Sequence, residues 1–120
     1  MVHSLTTRLD ASFAALSDAT RRGVLVQLES ADASITQLAA NFNMTLTGMK
    51  KHVGVLEQVG LITTEKVGRV RTCRLGLRVL EEEAAWIEER RRIWNARFDA
   101  LDCVVEAMKR REEIDGPQGE

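Results

Sequence analysis

Lys50, Lys51, Lys66, Arg69, Arg71 and Arg74 lie between Thr45 and Arg74 with only Glu57 and Glu65 to oppose them. That is a local surplus of four positive charges in a chain whose formal net charge is −1. Clustered Lys and Arg bind phosphate oxygens by charge and by hydrogen bonding, and their clustering counts for more than the overall balance. The chemistry on offer is therefore polyanion binding, not bond making. There is no Gly-rich phosphate loop, no Ser/His/Asp or Cys/His set at a plausible spacing, and no acid pair placed in a cleft. No catalytic residues are assigned, and the chain is expected not to be an enzyme.

Metal and thiol chemistry find little to work with. Cys73 and Cys103 are far apart and lack CxxC spacing, and His3 and His52 are isolated. Soft metals need clustered thiolates or imidazoles, so no metal site and no cofactor are expected, short of a site assembled between two copies. The two cysteines read as buried, reduced thiols. A redox switch at Cys73 or Cys103 is the alternative, but neighbours on a strand point to opposite faces, which keeps Arg74 from activating Cys73. No apolar run reaches membrane-spanning length and the N-terminus lacks a signal-peptide pattern, so a cytoplasmic protein without membrane association is expected.

The elements that must position the cations follow from the apolar spacing. At 120 residues and 44% hydrophobic, the chain suits one domain, over residues 1–112, with a flexible tail over 113–120. Leu5, Leu9, Phe13 and Leu16 predict a first helix over about 5–17, and Ser17-Asp18 can cap a second that carries Val24, Leu25 and Leu28 inward. Residues 29–33 read as a loop. Ser34 to Phe42 predicts a third helix, with Gln37 a solvated residue or a contact to the backbone of a bound polyanion, and Thr45 caps a fourth. On the fourth helix, at roughly 100° per residue, Met49, Val53 and Leu56 form a core stripe. The opposite face carries Thr47, Lys50, Lys51, Gly54 and Gln58, with no acid before Glu57. A wet surface helix favours Glu and Lys paired at i,i+4, whereas lysines set among small residues suit close approach to a polyanion.

After Gly60 the pattern becomes β-type, with Leu61 to Lys66 and Val70 to Leu75 forming a hairpin that turns at Gly68. Arg69, Arg71 and Arg74 sit at its tip and on its return strand. A short helix, a tight turn, a capped helix and a basic hairpin describe a mainly α fold with a small β-hairpin, the winged helix-turn-helix. The last helix, predicted over 79–111, carries Leu80, Ala84, Ile87, Trp94, Phe98, Leu101, Val105 and Met108 in 4-3 steps broken only at Arg91. That stripe is too apolar to stay exposed, so a homodimer through the first and last helices is expected. Trp86, Trp94 and Phe98 suit an interface, or the wall of a pocket.

Leu16-Ser-Asp-Ala-Thr-Arg-Arg-Gly-Val-Leu25, Ile35-Thr-Gln-Leu-Ala-Ala40 and Met44-Thr-Leu-Thr-Gly-Met-Lys-Lys-His-Val-Gly-Val-Leu-Glu-Gln-Val-Gly-Leu-Ile62, in that order, resemble the ArsR/SmtB family of bacterial transcriptional repressors. The resemblance spans about residues 5–110, and Ala19 stands where the family usually has proline. Trp86-Ile-Glu-Glu-Arg-Arg-Arg-Ile-Trp94 is similar to a metal-independent branch. The resemblance implies a homodimeric repressor on an inverted-repeat operator in double-stranded DNA, often that of its own operon. It carries DNA contacts over to Thr45, Thr47, Gly48, Lys50, Lys51 and His52 on the recognition helix and to Arg69 and Arg71 on the wing. His52 lies on the flank, where a phosphate contact and a packed boundary position are both open. The metal-sensing cysteines and histidines of other members have no counterpart on the third or last helix. The competing reading is a winged-helix protein-interaction module, which would not need these four cations on one surface. No residue names an effector.

Overall fold

The computed structural model describes residues 2–78 and 80–115. By their internal contacts they form two compact units, Met1–Glu83 and Ala84–Glu120.

The first unit begins with α1 (Val2–Leu16), which starts earlier than the sequence predicts, and α2 (Ala19–Ser30). Asp18 caps α2 by accepting from the Arg21 amide at 3.0 Å. The last carbonyls of α1 are met by two arginines of α2: Arg21 donates to Ala14 and Ala15, and Arg22 to Leu16. Helix ends leave such groups unpaired, and cationic side chains near a C-terminus satisfy them. Gly23 is dictated by packing, because a Cβ there would stand 2.6 Å from the ring of Phe42.

Residues 33–34, predicted as loop and helix start, form a short strand β1 (Ala33–Ser34) instead. It joins the hairpin β2 (Ile62–Val67) and β3 (Val70–Leu75) in an antiparallel sheet of order β1-β3-β2, with Ala33 opposite Cys73. A two-residue strand is fixed by backbone pairing across the chain, so no side-chain alternation announces it.

Between β1 and β2 lie α3 (Ile35–Asn41) and α4 (Leu46–Gln58). Ser34 and Gln37 form a reciprocal capping box, so the side-chain Oε1 of Gln37 accepts from the Ser34 amide at 2.8 Å. The turn between the helices is a Schellman motif: Asn43 takes φ +54, its amide bonds the Ala40 carbonyl, and Met44 bonds Ala39. The end of α4 repeats the motif at Gly60, φ +81, with Leu61 bonding Leu56. Val24, Leu28, Leu38, Met49, Val53, Leu56, Ile62 and Cys73 make one contiguous core.

Leu80, at φ +62, precedes α5 (Glu81–Asp115). This backbone region costs a β-carbon-bearing residue about 1–2 kcal/mol, so neighbouring contacts must hold it. At 35 residues α5 is about 52 Å long. It runs through residues 113–115, which the sequence places in the tail; residues 116–120 and Val79 lie outside the described residues. Within the second unit Ile87, Trp94, Phe98, Leu101, Val105 and Met108 are all exposed. The Arg90 guanidinium lies 5.4 Å from the centre of the Trp86 ring. No helix among the described residues is long and apolar enough to cross a membrane.

Candidate nucleic-acid interface

The face of α4 is set by its cap. Thr45 Oγ1 accepts from the Gly48 amide at 3.0 Å, which fixes where the helix begins. Gly48 is crowded: a Cβ there would meet Thr45 Oγ1 at 3.1 Å and Met44 Cε at 3.3 Å. With Met49, Val53 and Leu56 buried, Thr47, Lys50, Lys51, Gly54 and Gln58 are left exposed. Gly54 has nothing within 4 Å of where a Cβ would be. The fold does not demand a glycine there, although it costs a helix interior about 1 kcal/mol against alanine.

The wing begins where the sequence places it. Gly68 takes φ +64 as the first residue of the two-residue turn, as a type II′ hairpin requires, and projects Arg69 from the tip. Behind the tip, Lys66 is paired directly opposite Arg71. Like charges across a ladder repel, so this pair favours an anion between or beside them. Lys50, Lys66, Arg69 and Arg71 line a cleft of about 520 Å³ together with Ser34, Ile35, Thr36, Leu46 and Val70. No carboxylate lines it. Among the described residues Lys50, Lys51, Lys66 and Arg69 make no ion pair, whereas Arg74 is held by Asp32 at 3.6 Å and Glu65 at 3.2 Å. Arg71 is partly committed, donating at 2.9 Å to Thr64 Oγ1, which in turn donates to Glu57.

The flanking residues sort differently. His52 is half-buried with Nδ1 3.3 Å from Arg21 Nη1 and 3.8 Å from Asp18 Oδ2. That places it as a boundary residue at the edge of the exposed face. Asp18 is held below the usual carboxylate range, first by the Arg21 amide and then by nearby His52 and Arg21. Cys73 is fully buried, and loss of water pushes its thiol up to about 11, Glu57 adding to the rise and Arg71 opposing it. A buried thiol raised in this way is a poor nucleophile, which speaks against the redox reading for Cys73. Cys103 is exposed on α5. Among the described residues no three His, Cys, Asp or Glu side chains gather as a metal site.

Two features were missed by sequence reasoning. Leu46 lines the cleft, and only its place at the border of the polar helix face, beside Lys50, could have signalled it. Arg78 donates to Ser12 and to the Val59 carbonyl and pairs with buried Glu83. Ser12 lies 66 residues away in the chain, so no local pattern reveals that contact.

Residues 16–65 match a helix-turn-helix domain family. The transcriptional repressor SdpR of Bacillus subtilis is 29% identical over 75 residues, which are 62% of this chain and 83% of that protein. The crystal structure of an ArsR family transcriptional regulator is 39% identical, covering 75% of this chain and 93% of the other, with a TM-score of 0.70. An ArsR-like transcriptional regulator from Rhodococcus sp. RHA1 is 31% identical over 82% of this chain and 93% of its own, with a TM-score of 0.66. At 18% identity, a homodimeric winged helix-turn-helix DNA-binding domain from Mycobacterium bovis shares the fold, with a TM-score of 0.58, covering 78% of this chain and 83% of its own. With a cationic helix face beside a basic wing, and relatives of this similarity over nearly their whole length, the chain belongs to the ArsR family of transcriptional regulators.

Proposed function

We propose that this regulator acts in the cytoplasm as a homodimer that binds an inverted-repeat operator and represses transcription from it, its own operon included. The observation that carries this reading is the cleft between α4 and the wing, lined by four cations and no carboxylate. In it the exposed face of α4 enters the major groove and Arg69 reaches flanking phosphates or the minor groove. Lys50, Lys51 and Arg69 supply phosphate contacts, and Arg71 leans between wing and helix. Thr47 faces base edges, while Thr45 and Gly48 set how closely the helix start approaches. His52 joins from the flank, its orientation held by Asp18 and Arg21. The exposed stripe of α5 supplies the dimer contact, because an apolar surface of this extent is favourably buried only against another apolar surface. Two-fold symmetry then sets the recognition helices about 34 Å apart, one turn of DNA.

Fluorescence anisotropy with the DNA upstream of the protein's own gene, over a salt series, tests the reading. Wild type should prefer that DNA about a thousandfold over random sequence, with a steep salt slope, and Lys50→Ala/Lys51→Ala should weaken binding and flatten the slope. Charge reversal at Lys50, Lys51, Arg69 and Arg71 that left DNA behaviour unchanged, with the dimer intact, would instead support a protein-interaction module.

A further inference from the structure

We propose that Leu46 is a specificity-determining residue that reads the 5-methyl group of thymine in the major groove. The inference rests on the DNA-binding reading and adds a base preference to it.

Leu46 is the first residue of α4, directly after the cap Thr45. The apolar duties at a helix start belong to the residue before the cap and to the fourth helical residue, which pack on each other. Here those are Met44, half-buried against the core, and Met49, fully buried. Leu46 has no part in that packing and is 44% exposed. On the helix it stands beside Lys50, at the border between the core stripe and the outward face of Thr47, Lys51, Gly54 and Gln58, so it sets a branched apolar side chain at the edge of a polar face. With Ile35 and exposed Val70 it forms the apolar part of the cleft that Lys50, Lys66, Arg69 and Arg71 also line.

The cations and the apolar side chains of the cleft call for different parts of one ligand. Cations take phosphates, which carry no sequence information. An apolar side chain on the first turn of a recognition helix lies where base edges are read, and the thymine methyl is the apolar group a base pair presents in the major groove. Covering Leu46 with that methyl removes both from water. Cytosine carries only a hydrogen at that C5 position and the purines present polar N7 edges, so the contact favours T·A at one position in each half-site.

The test uses duplexes selected by the full-length wild-type protein from a randomised pool, resynthesised with deoxyuridine at single thymine positions. Losing one buried methyl should weaken binding roughly fourfold per half-site, and so about fifteenfold when both half-sites are changed. Leu46→Ala, an exposed substitution at a helix start, should bind the thymine and uracil duplexes equally while keeping the wild-type salt slope. Equal affinity of wild type for both duplexes would overturn the role of Leu46 while DNA binding stood. A thymine preference that survives in Leu46→Ala would also overturn it, assigning the methyl contact elsewhere. Failure to enrich any duplex would bring down the DNA-binding reading itself.

Discussion

Arg78 donates through Nη1 to the carbonyl of Val59, the residue that ends α4, at 3.0 Å, and through Nη2 it pairs with the carboxylate of Glu83 in the first turn of α5. The same Nη1 reaches Ser12 Oγ of α1 at 2.8 Å. One guanidinium therefore joins the recognition helix to both elements expected to form the dimer, beside the constrained backbone of Leu80. Glu83 is only 2% exposed. Removing the cation leaves its charge buried without compensation, so Arg78→Ala should cost about 3 kcal/mol or more in urea denaturation. Arg78→Ala/Glu83→Gln should recover much of that loss. A single substitution as harmless as a surface change would show that the network is not structural.

Gly76 and Gly54 predict opposite outcomes for the same substitution. A Cβ on Gly76 would stand 2.4 Å from the Gly60 carbonyl oxygen, a backbone atom that cannot rotate away. Gly76→Ala should destabilise by about 2 kcal/mol or more. Gly54→Ala adds a methyl to open helix surface and should stabilise by roughly 0.5–1 kcal/mol. If α4 lies close against DNA, the same methyl should weaken operator binding. Thermal melts and anisotropy on the two variants separate these effects.

The thiol of Cys73 makes stability depend on pH in the alkaline range. Its folded value is raised from 9.0 to about 11, so the unfolded chain loses this proton first. The contribution is complete below pH 9 and is lost as pH rises toward 11, a change on the order of 2–3 kcal/mol. Denaturation midpoints for wild type and Cys73→Ala should therefore converge between those limits. Ellman's reagent should titrate Cys103 readily in the native protein and Cys73 only after unfolding.

The α5 stripe predicts the assembly state. Phe98 is 61% exposed on a helix with Trp94 and Leu101 alongside. Trp94→Asp/Phe98→Asp should sediment as a monomer with its helix content unchanged. Losing the second half-site should then reduce operator affinity about a hundredfold. A stable dimer in that variant would move the interface elsewhere.

Much of this was readable in the sequence because the signals are local. Asp18 and Thr45 sit where caps belong, Met49, Val53 and Leu56 repeat at helical spacing, and Gly68 marks a turn between two β-type runs. The capping box is readable too, since Ser34 and Gln37 carry its spacing, although spacing alone leaves Gln37 equally suited to solvent or to a nucleic-acid backbone. What stayed hidden depends on partners distant in the chain. The strand at Ala33 exists through its pairing with Cys73, Gly23 is required by Phe42, and Arg78 works through Ser12. The cations were visible as a cluster, but only the fold separates Arg74, neutralised by Asp32 and Glu65, from Lys50 and Arg69, which face outward.

The helix-turn-helix closes both its turns with its own atoms: Ser34 and Gln37 start α3, Asn43 ends it, Thr45 starts α4 and Gly60 ends it. Both helices of the reading head thus have their ends closed within the chain itself. Calorimetry on operator binding should therefore show a heat-capacity change that scales with the contact area alone, without the large negative excess of coupled folding.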